Sequence, residues 1–152
     1  MKKLKLQKTF KIKPKKPFAF DSTFHKPDHF TSGDNYYEKG IRWQTWNWQK
    51  KNLGIKFSNK GTVRNPLVEI KIYAKEKLSD SFTSSLIEEI KYRYNFNYNL
   101  SDFYKTFKKD KFLFPILKQW KGMRPGHPSS LYEYLIIGIV LQNAPVRRSV
   151  QM

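Results

Sequence analysis

The pattern of apolar and polar positions changes its period near residue 76. Before that point the two kinds of residue alternate, which is the period of a half-buried strand. The alternation occurs in four stretches: Leu4–Gln7, Phe10–Lys13, Ile41–Trp48 and Leu67–Tyr73. Phe18–Phe30 is predicted to be a loop, Asn52-Leu53-Gly54 a turn, and Ile55–Phe57 a short returning strand. This half of the chain is therefore predicted to form a twisted antiparallel sheet of four or five strands.

After residue 76 the apolar residues recur at helical spacing. Three helices are predicted, introduced in turn by Ser79 or Asp80, by Ser101 and by Asp110, and the third ends at Gly122. Their inward side chains are expected to be Phe82, Leu86, Ile87 and Ile90 in the first, Phe103, Tyr104 and Phe107 in the second, and Phe112, Leu113, Ile116, Leu117 and Trp120 in the third.

A fourth helix is predicted over the apolar run from Leu131 to Leu141. Its apolar residues fall on almost every face, so the helix is expected to be buried all round. Gln142–Pro145 interrupts it, because Asn143 can cap a new helix and Pro145 suits a first helical position. The new helix has only eight residues to Met152 and would be marginal by itself. We therefore expect that the chain was cut, or naturally ends, inside a larger fold.

Strands followed by helices predict the α+β class. Residues 1–76 are expected to form an antiparallel β domain with a basic N-terminal arm. Residues 77–152 are expected to form a helical region. The sequence contains no internal repeat.

Charge and aromatic content point to a polyanionic partner. The 152-residue chain carries 30 Lys and Arg against 12 Asp and Glu, a formal net charge of +18, and 16% of its residues are aromatic. Charge and aromatics together favour nucleic acid over an anionic membrane surface. The longest apolar run is too short to cross a bilayer, and the N-terminus lacks the apolar core of a signal peptide. An intracellular location, in the cytoplasm or nucleoid, is expected.

Catalytic chemistry is not visible in the residues themselves. The absence of cysteine excludes disulfides and thiolate sites, and no nucleophilic triad or phosphate-binding glycine loop occurs. His25, Asp28 and His29 share a loop, but no further zinc ligands accompany them. No metal and no cofactor are therefore expected.

Three groups of residues could contact nucleic acid, and each has a structural alternative. Trp43, Trp46 and Trp48 could stack on bases, although core packing is the favoured interpretation. The lysines of the N-terminal arm could bind phosphate or belong to a solvated flexible arm; they are Lys2, Lys3, Lys5, Lys11, Lys13, Lys15 and Lys16. A helix junction after the fourth helix offers amides, cations and free backbone N–H groups, or only a cap and surface arginines; its residues are Gln142, Asn143, Arg147 and Arg148.

Three short motifs, in order, resemble the helix-hairpin-helix DNA glycosylases, of the 3-methyladenine and 8-oxoguanine type. Asp110–Leu113 followed by Trp120–Pro125 resembles their "D…L…GLR" stretch. Leu131–Ile136 resembles their "xFExLv" helix start, and Ile139–Ser149 their "aIlxQqxsvxxa" junction. The resemblance covers nearly the whole chain and implies that the sheet is the TBP-like half of such an enzyme.

The resemblance implies a function in base-excision repair. Members flip a damaged base out of duplex DNA and cut its N-glycosidic bond. By resemblance, Gln142 or Asn143 would fill the vacated space, with Arg147 near the estranged base and Arg148 near phosphate. The family's catalytic aspartate would lie downstream of Met152, so no catalytic residue is assigned and this chain alone is expected to be inactive. Its partner would be double-stranded DNA containing an alkylated or oxidised purine, bound by a monomer if the chain is complete.

Two other functions remain open from the sequence. One is a stand-alone nucleic-acid-binding module that uses sheet aromatics and lysines without catalysis, which predicts single-strand binding with a steep salt dependence. The other is an interaction protein whose apolar helix, Leu131–Leu141, docks on a partner chain.

Overall fold

The computed structural model describes residues 3–25, 35–126 and 131–142. Five strands and five helices lie in these ranges. They are β1 (Lys5–Ile12), α1 (Phe20–Phe24), β2 (Asn35–Glu38), β3 (Ile41–Trp48), β4 (Lys51–Asn59), β5 (Val68–Ala74), α2 (Asp80–Arg93), α3 (Ser101–Phe107), α4 (Leu113–Gln119) and α5 (Leu131–Gln142).

The strands form one antiparallel sheet in the order β1-β5-β4-β3-β2. Strands β2 to β5 follow one another in the sheet as they do in the chain, and β1 returns to pair with β5. Strands come first and most of the helices afterwards, so the predicted α+β class and antiparallel sheet are confirmed.

The hydrophobic core lies between the inner face of the sheet and α2. Val68, Ile70 and Ile72 of β5 are buried, while Glu69 and Lys71 between them are not, as their alternation predicts. Leu86 and Ile90 of α2 belong to the same buried cluster. The helix begins as predicted, because the Ser79 hydroxyl accepts a hydrogen bond from the Phe82 N–H at 3.2 Å.

The predicted turn at Asn52–Gly54 is wrong. These residues lie within β4, and the hairpin turn is at Gln49 and Lys50, whose φ angles are 47° and 62°. Positive φ at both central residues is what a two-residue type I′ hairpin turn requires, and it usually selects asparagine or glycine. Neither occupies this turn, so the sequence signal pointed to the nearby glycine instead.

The aromatic segment after β1 contains a helix that the sequence pattern did not predict. In α1, Phe20 and Phe24 are both buried, and their rings stack with centroids 4.5 Å apart. Phe24 also meets Phe57 of β4 at 4.8 Å. A five-residue helix is too short to display a periodic pattern, which explains why this segment was predicted to be a loop.

Helices α3 and α4 have the predicted positions but not the predicted burial. Neither contains a buried residue, and the side chain of Phe112 is 87% exposed. Phe103, which was expected to face inward, is also exposed. Ser101 is the first residue of α3 and does not cap it with its side chain. Asp110 precedes α4 as predicted, and its carboxylate accepts hydrogen bonds from Phe112 N–H and Leu113 N–H at 2.9 and 2.8 Å, although the N-cap position itself is Phe112.

Helix α5 is likewise not buried all round. Its described side chains are exposed, Leu131 to 73% and Ile139 to 63%. Leu135 and Ile136 are exposed too. Periodicity alone cannot show whether enough neighbouring chain exists to cover an apolar helix, so the prediction of complete burial is wrong for these side chains.

Candidate nucleic-acid interface

The predicted DNA-contacting junction is only partly described by the structure. Gln142 is the last described residue of α5 and is exposed. The predicted interruption of the helix at Gln142–Pro145 falls mostly on residues outside the described ranges. Asn143, Arg147 and Arg148 lie outside the described residues. The assignment of these four residues to DNA binding therefore stays a prediction.

The three tryptophans of β3 divide between the two faces of the sheet. Trp46 is buried in the core, and Trp48 packs partly buried against the same cluster. Arg93 of α2 lies over the Trp46 ring, with its guanidinium carbon 4.3 Å from the ring centroid. Trp43 has the opposite parity in the strand and is exposed on the outer face. Core packing is confirmed for Trp46, whereas Trp43 is available to a ligand.

Two of the N-terminal lysines, Lys5 and Lys11, belong to a strand rather than to a free arm, and Lys2 lies outside the described residues. Lys5 and Lys11 are exposed residues of β1, where they lie opposite Ala74 and Glu69 of β5. Strand β1 is an edge of the sheet, and lysines at an edge also discourage pairing with another chain. Lys8 instead points to α2 and forms an ion pair with Asp80. The Lys8 ammonium lowers the pKa of the exposed Asp80 carboxyl.

A buried arginine joins the helical region to the start of the chain. The Arg124 guanidinium donates to the Tyr98 carbonyl at 2.5 Å and to the Lys15 and Pro17 carbonyls at 2.6 and 3.0 Å. Its backbone N–H donates to the Thr23 hydroxyl at 3.1 Å. Arg124 is fully buried, and this desolvation lowers the pKa of its guanidinium. It is the arginine of the Trp120–Pro125 motif, and its side chain is structural.

Gly122 lies at the same contact between the helical region and the start of the chain. Its φ is +87°, and a Cβ atom there would lie 2.8 Å from the Ala19 nitrogen. The Ala19 N–H donates to the Gly122 carbonyl at 2.8 Å, and the Gly122 N–H donates to the Tyr104 hydroxyl at 2.8 Å. A side chain would separate the two segments. Sequence reasoning identified Gly122 as a helix stop, but the close approach to Ala19 is a tertiary feature with no sequence signal.

The histidine loop shows no metal chemistry in its described part. The His25 ring stacks on Tyr37 with centroids 4.1 Å apart. The Tyr37 hydroxyl donates to Asp21 at 2.8 Å, and burial together with this bond raises the pKa of Tyr37 to about 12. His29 and His127 lie outside the described residues. Within the described ranges no group of three or more histidine, aspartate or glutamate residues could hold a metal ion.

None of the described helices is both long enough and apolar enough to cross a membrane. The exposed apolar side chains of α3 to α5 and the lysines around the sheet present two different kinds of surface on one chain. The apolar surface suits contact with more polypeptide, and the basic surface suits contact with a polyanion.

The fold is similar to that of a 3-methyladenine DNA glycosylase from Archaeoglobus fulgidus, with a TM-score of 0.70 and 12% sequence identity. The similarity covers 93% of this chain and 47% of that chain, so this chain spans about half the length of that structure. No protein-family model and no curated protein sequence matches the chain. At this identity the similarity establishes a DNA glycosylase-like fold.

Proposed function

We propose that this chain is the N-terminal, damaged-DNA-binding portion of a helix-hairpin-helix DNA N-glycosylase that acts in base-excision repair. The observation that carries the proposal is the glycosylase-like fold, which extends over 93% of the chain. The motif resemblance in Asp110–Pro125 and Leu131–Ser149 adds independent support from sequence. The complete enzyme would remove alkylated or oxidised purines, and its catalytic groups would come from the further polypeptide that completes the helical domain.

The exposed apolar side chains of α3, α4 and α5 support an incomplete catalytic domain. Phe112 and Trp120 flank α4 and are 87% and 45% exposed, and Leu131 of α5 is 73% exposed. Each large apolar side chain left in water forgoes about 1.5–3 kcal/mol of burial free energy. The glycosylase fold includes about as much chain again as is present here, since the similarity covers 47% of the related structure. This further part of the fold is proposed to cover the exposed apolar side chains.

The proposed wedge lies at the end of α5. Gln142 or Asn143 would enter the duplex in place of the flipped base, Arg147 would lie near the estranged base, and Arg148 near a phosphate. Both candidate wedge residues carry amides, so the insertion would use hydrogen bonds to base edges as well as shape. Extruding a base costs a few kcal/mol, and less at a mispaired lesion, which gives preference for damaged sites.

The proposed partner is double-stranded DNA containing a damaged base, bound inside the cell by a monomer without a metal or cofactor. The net charge of +18 supports binding to a polyanion. Which purine lesion is excised depends on pocket residues of the remaining half, so both the alkylated and the oxidised class belong to the proposal.

The test compares this chain with its Q142A/N143A double variant on four duplexes: undamaged, mispaired, carrying an abasic site, and carrying an alkylated or oxidised purine. We expect tighter binding to the abasic and mispaired duplexes, no base excision, and loss of the preference in the double variant. The matched control is N47A/N52A, which removes two exposed amides that bond to each other at 2.9 Å beside the β3–β4 turn.

Two outcomes would refute the proposal. One is robust excision of a damaged base by this chain alone. The other is equal affinity for the undamaged, mispaired and abasic duplexes, together with a Q142A/N143A variant that behaves like its control.

A further inference from the structure

The outer face of the sheet carries a row of side chains that crosses all five strands. Tyr36 lies opposite Trp43, Trp43 opposite Lys56, Lys56 opposite Lys71, and Lys71 opposite Thr9. Opposed residues in antiparallel strands point to the same side, so these side chains share one surface. Along the row, two aromatic residues are followed by two lysines and then by Thr9. We call these four side chains, Tyr36, Trp43, Lys56 and Lys71, the outer row.

The aromatic end of the row is open to solvent and borders a groove. Tyr36 is 59% exposed and Trp43 is 36% exposed. The Trp43 ring also meets Tyr73 with centroids 5.6 Å apart. The adjoining groove has a volume of about 350 Å³ and is bordered by Tyr36, Trp43, Tyr73, Leu4 and Gly54. Aromatic surface of this kind is usually buried, so its exposure next to a groove indicates a place for a flat ligand.

Gly54 keeps the groove open. It lies in the interior of β4, where glycine weakens a strand and often marks the close approach of a ligand or another chain. A Cβ atom at this position would come within 3.2 Å of the Leu4 side chain and 3.6 Å of Tyr73. A side chain at position 54 would therefore enter the groove between Leu4 and Tyr73.

The lysine end of the row contains an unfavourable pair. Lys56 and Lys71 lie directly opposite each other, and like charges in that arrangement destabilise a sheet. Glu69 partly compensates, with its carboxylate 3.8 Å from the Lys71 ammonium. The Lys56 ammonium instead lies 4.7 Å from the centroid of the Trp43 ring. An anion bound between the two lysines would relieve the repulsion that remains.

We propose that the outer row binds single-stranded nucleic acid. An unpaired base stacks on Trp43 and Tyr36, and the adjoining phosphates lie against Lys56 and Lys71. Adjacent strands are about 4.8 Å apart, so both lysines lie within roughly 10 Å of the Trp43 backbone, within reach of the phosphates of a stacked nucleotide. A base paired in a duplex offers no free face, which is why the site selects single strands. Stacking and phosphate contacts read no base edge, so binding is insensitive to sequence.

This site differs from the junction proposed to enter damaged duplexes, and it would serve either a repair enzyme or a binding module. The two proposals can fail separately. Q142A/N143A should leave single-strand affinity unchanged, and substitutions in the outer row should leave the preference for damaged duplexes unchanged.

The first test measures binding of fluorescently labelled oligothymidylate by anisotropy. Loss of one stacking side chain weakens binding by roughly five- to 150-fold, so we expect a shift of that size for Trp43→Ala. Trp43→Phe, which keeps an aromatic face, should restore most of the affinity. The control is Tyr98→Ala, since Tyr98 is 56% exposed and is not part of the outer row. Thermal unfolding of each variant shows whether it is folded, and Tyr36→Ala replaces Trp43→Ala should the latter not fold.

The second test addresses the lysines through salt dependence. Two phosphate contacts to a single strand contribute about 1.4 to the slope of log affinity against log salt, so K56Q/K71Q should lower the slope by about that amount. K108Q/K109Q removes two exposed charges after α3 and should not change it.

Three results would overturn the proposal. The Trp43→Ala variant could bind oligothymidylate as tightly as the Tyr98→Ala variant does. Duplex DNA could compete for the outer row as well as a single strand does. Alternatively, Trp43→Ala could change only the oligomeric state, which would identify the outer face as a protein contact.

Discussion

At the scale of single residues, a buried arginine connects the helical region to the start of the chain. Arg124 is fully buried, and its guanidinium donates to three carbonyls, those of Tyr98, Lys15 and Pro17. Arginine suits this position because it presents five N–H donors in a planar fork and remains charged. A buried cation is tolerated when its hydrogen bonds replace those lost from water. The residue therefore contributes to stability through satisfied carbonyls rather than through an ion pair.

Replacing Arg124 with methionine should destabilise the fold by more than about 3 kcal/mol. Methionine has a similar length but no donors, so three carbonyls lose their partners at about 1–3 kcal/mol each when buried. Urea unfolding followed by circular dichroism measures the change. Arg64→Met is the control, because Arg64 is exposed. Equal unfolding midpoints for the two variants would contradict the role assigned to Arg124.

Because Tyr94 is buried, the free energy of unfolding is expected to fall at alkaline pH. Burial raises the pKa of Tyr94 to about 12, against the opposing effect of Arg42 and Arg93. In the unfolded chain this tyrosine ionises near pH 10. The stabilisation that comes from burying the neutral phenol is therefore complete below pH 10 and is lost as pH rises towards 12. We expect wild type to lose about 2 kcal/mol more than Tyr94→Phe between roughly pH 9 and pH 11.5. Urea unfolding of both proteins at both pH values measures the difference. Equal losses of stability in wild type and Tyr94→Phe would exclude this role of Tyr94.

At the scale of elements, the apolar content of a helix does not decide whether the helix is buried. Helix α2 packs Leu86 and Ile90 into the core, whereas Leu135 and Ile139 of α5 face solvent. Helix α5 is the more apolar of the two, because its apolar residues fall on almost every face, whereas α2 is amphipathic. The difference is that the sheet covers α2. An apolar helix without a cover is a binding surface in a native protein and a site of aggregation when the partner is missing.

This contrast predicts opposite effects of substitution in the two helices. L135Q/I139Q should reduce binding of a hydrophobic dye while leaving the free energy of unfolding within about 0.5 kcal/mol of wild type. Leu86→Ala should cost about 2–5 kcal/mol, because Leu86 is fully buried. Dye fluorescence and urea unfolding measure the two effects. A marked destabilisation by L135Q/I139Q would mean that α5 is already packed in this chain.

At the scale of the whole molecule, charge is the dominant property. A net charge of +18 on 152 residues repels itself within the folded chain and attracts polyanions from a distance. Described ion pairs use only a few of the cations, such as Arg93 with Glu89 at 2.7 Å and Lys91 with Glu88 at 2.6 Å. Sequence-independent attraction to phosphate would bring the chain onto DNA before any lesion or single strand is recognised.

The affinity for undamaged duplex DNA should therefore fall steeply with salt. A protein that makes six phosphate contacts loses about a thousandfold in affinity between about 50 and 200 mM salt. We expect a loss of at least about a hundredfold, measured by anisotropy with a labelled duplex. An affinity that hardly changes with salt would remove the electrostatic basis of both binding proposals.

What the sequence determined by itself was the local and periodic part of the structure. Alternation in β3 and β5 placed those strands, and Ser79 and Asp110 marked the starts of α2 and α4. The α+β class followed from the order of these elements. Such features depend on contacts between near neighbours, which residue types and spacing encode directly.

Only the tertiary structure decided which apolar surfaces are covered and which distant residues meet. It buried Trp46 and exposed Trp43 in the same strand, and it brought Arg124 to the carbonyls of Lys15 and Pro17. It also left the described side chains of α5 exposed. These outcomes depend on which elements lie beside each other and on how much chain is present to bury them. A pattern along the chain specifies the faces of an element, but not the neighbour that each face meets.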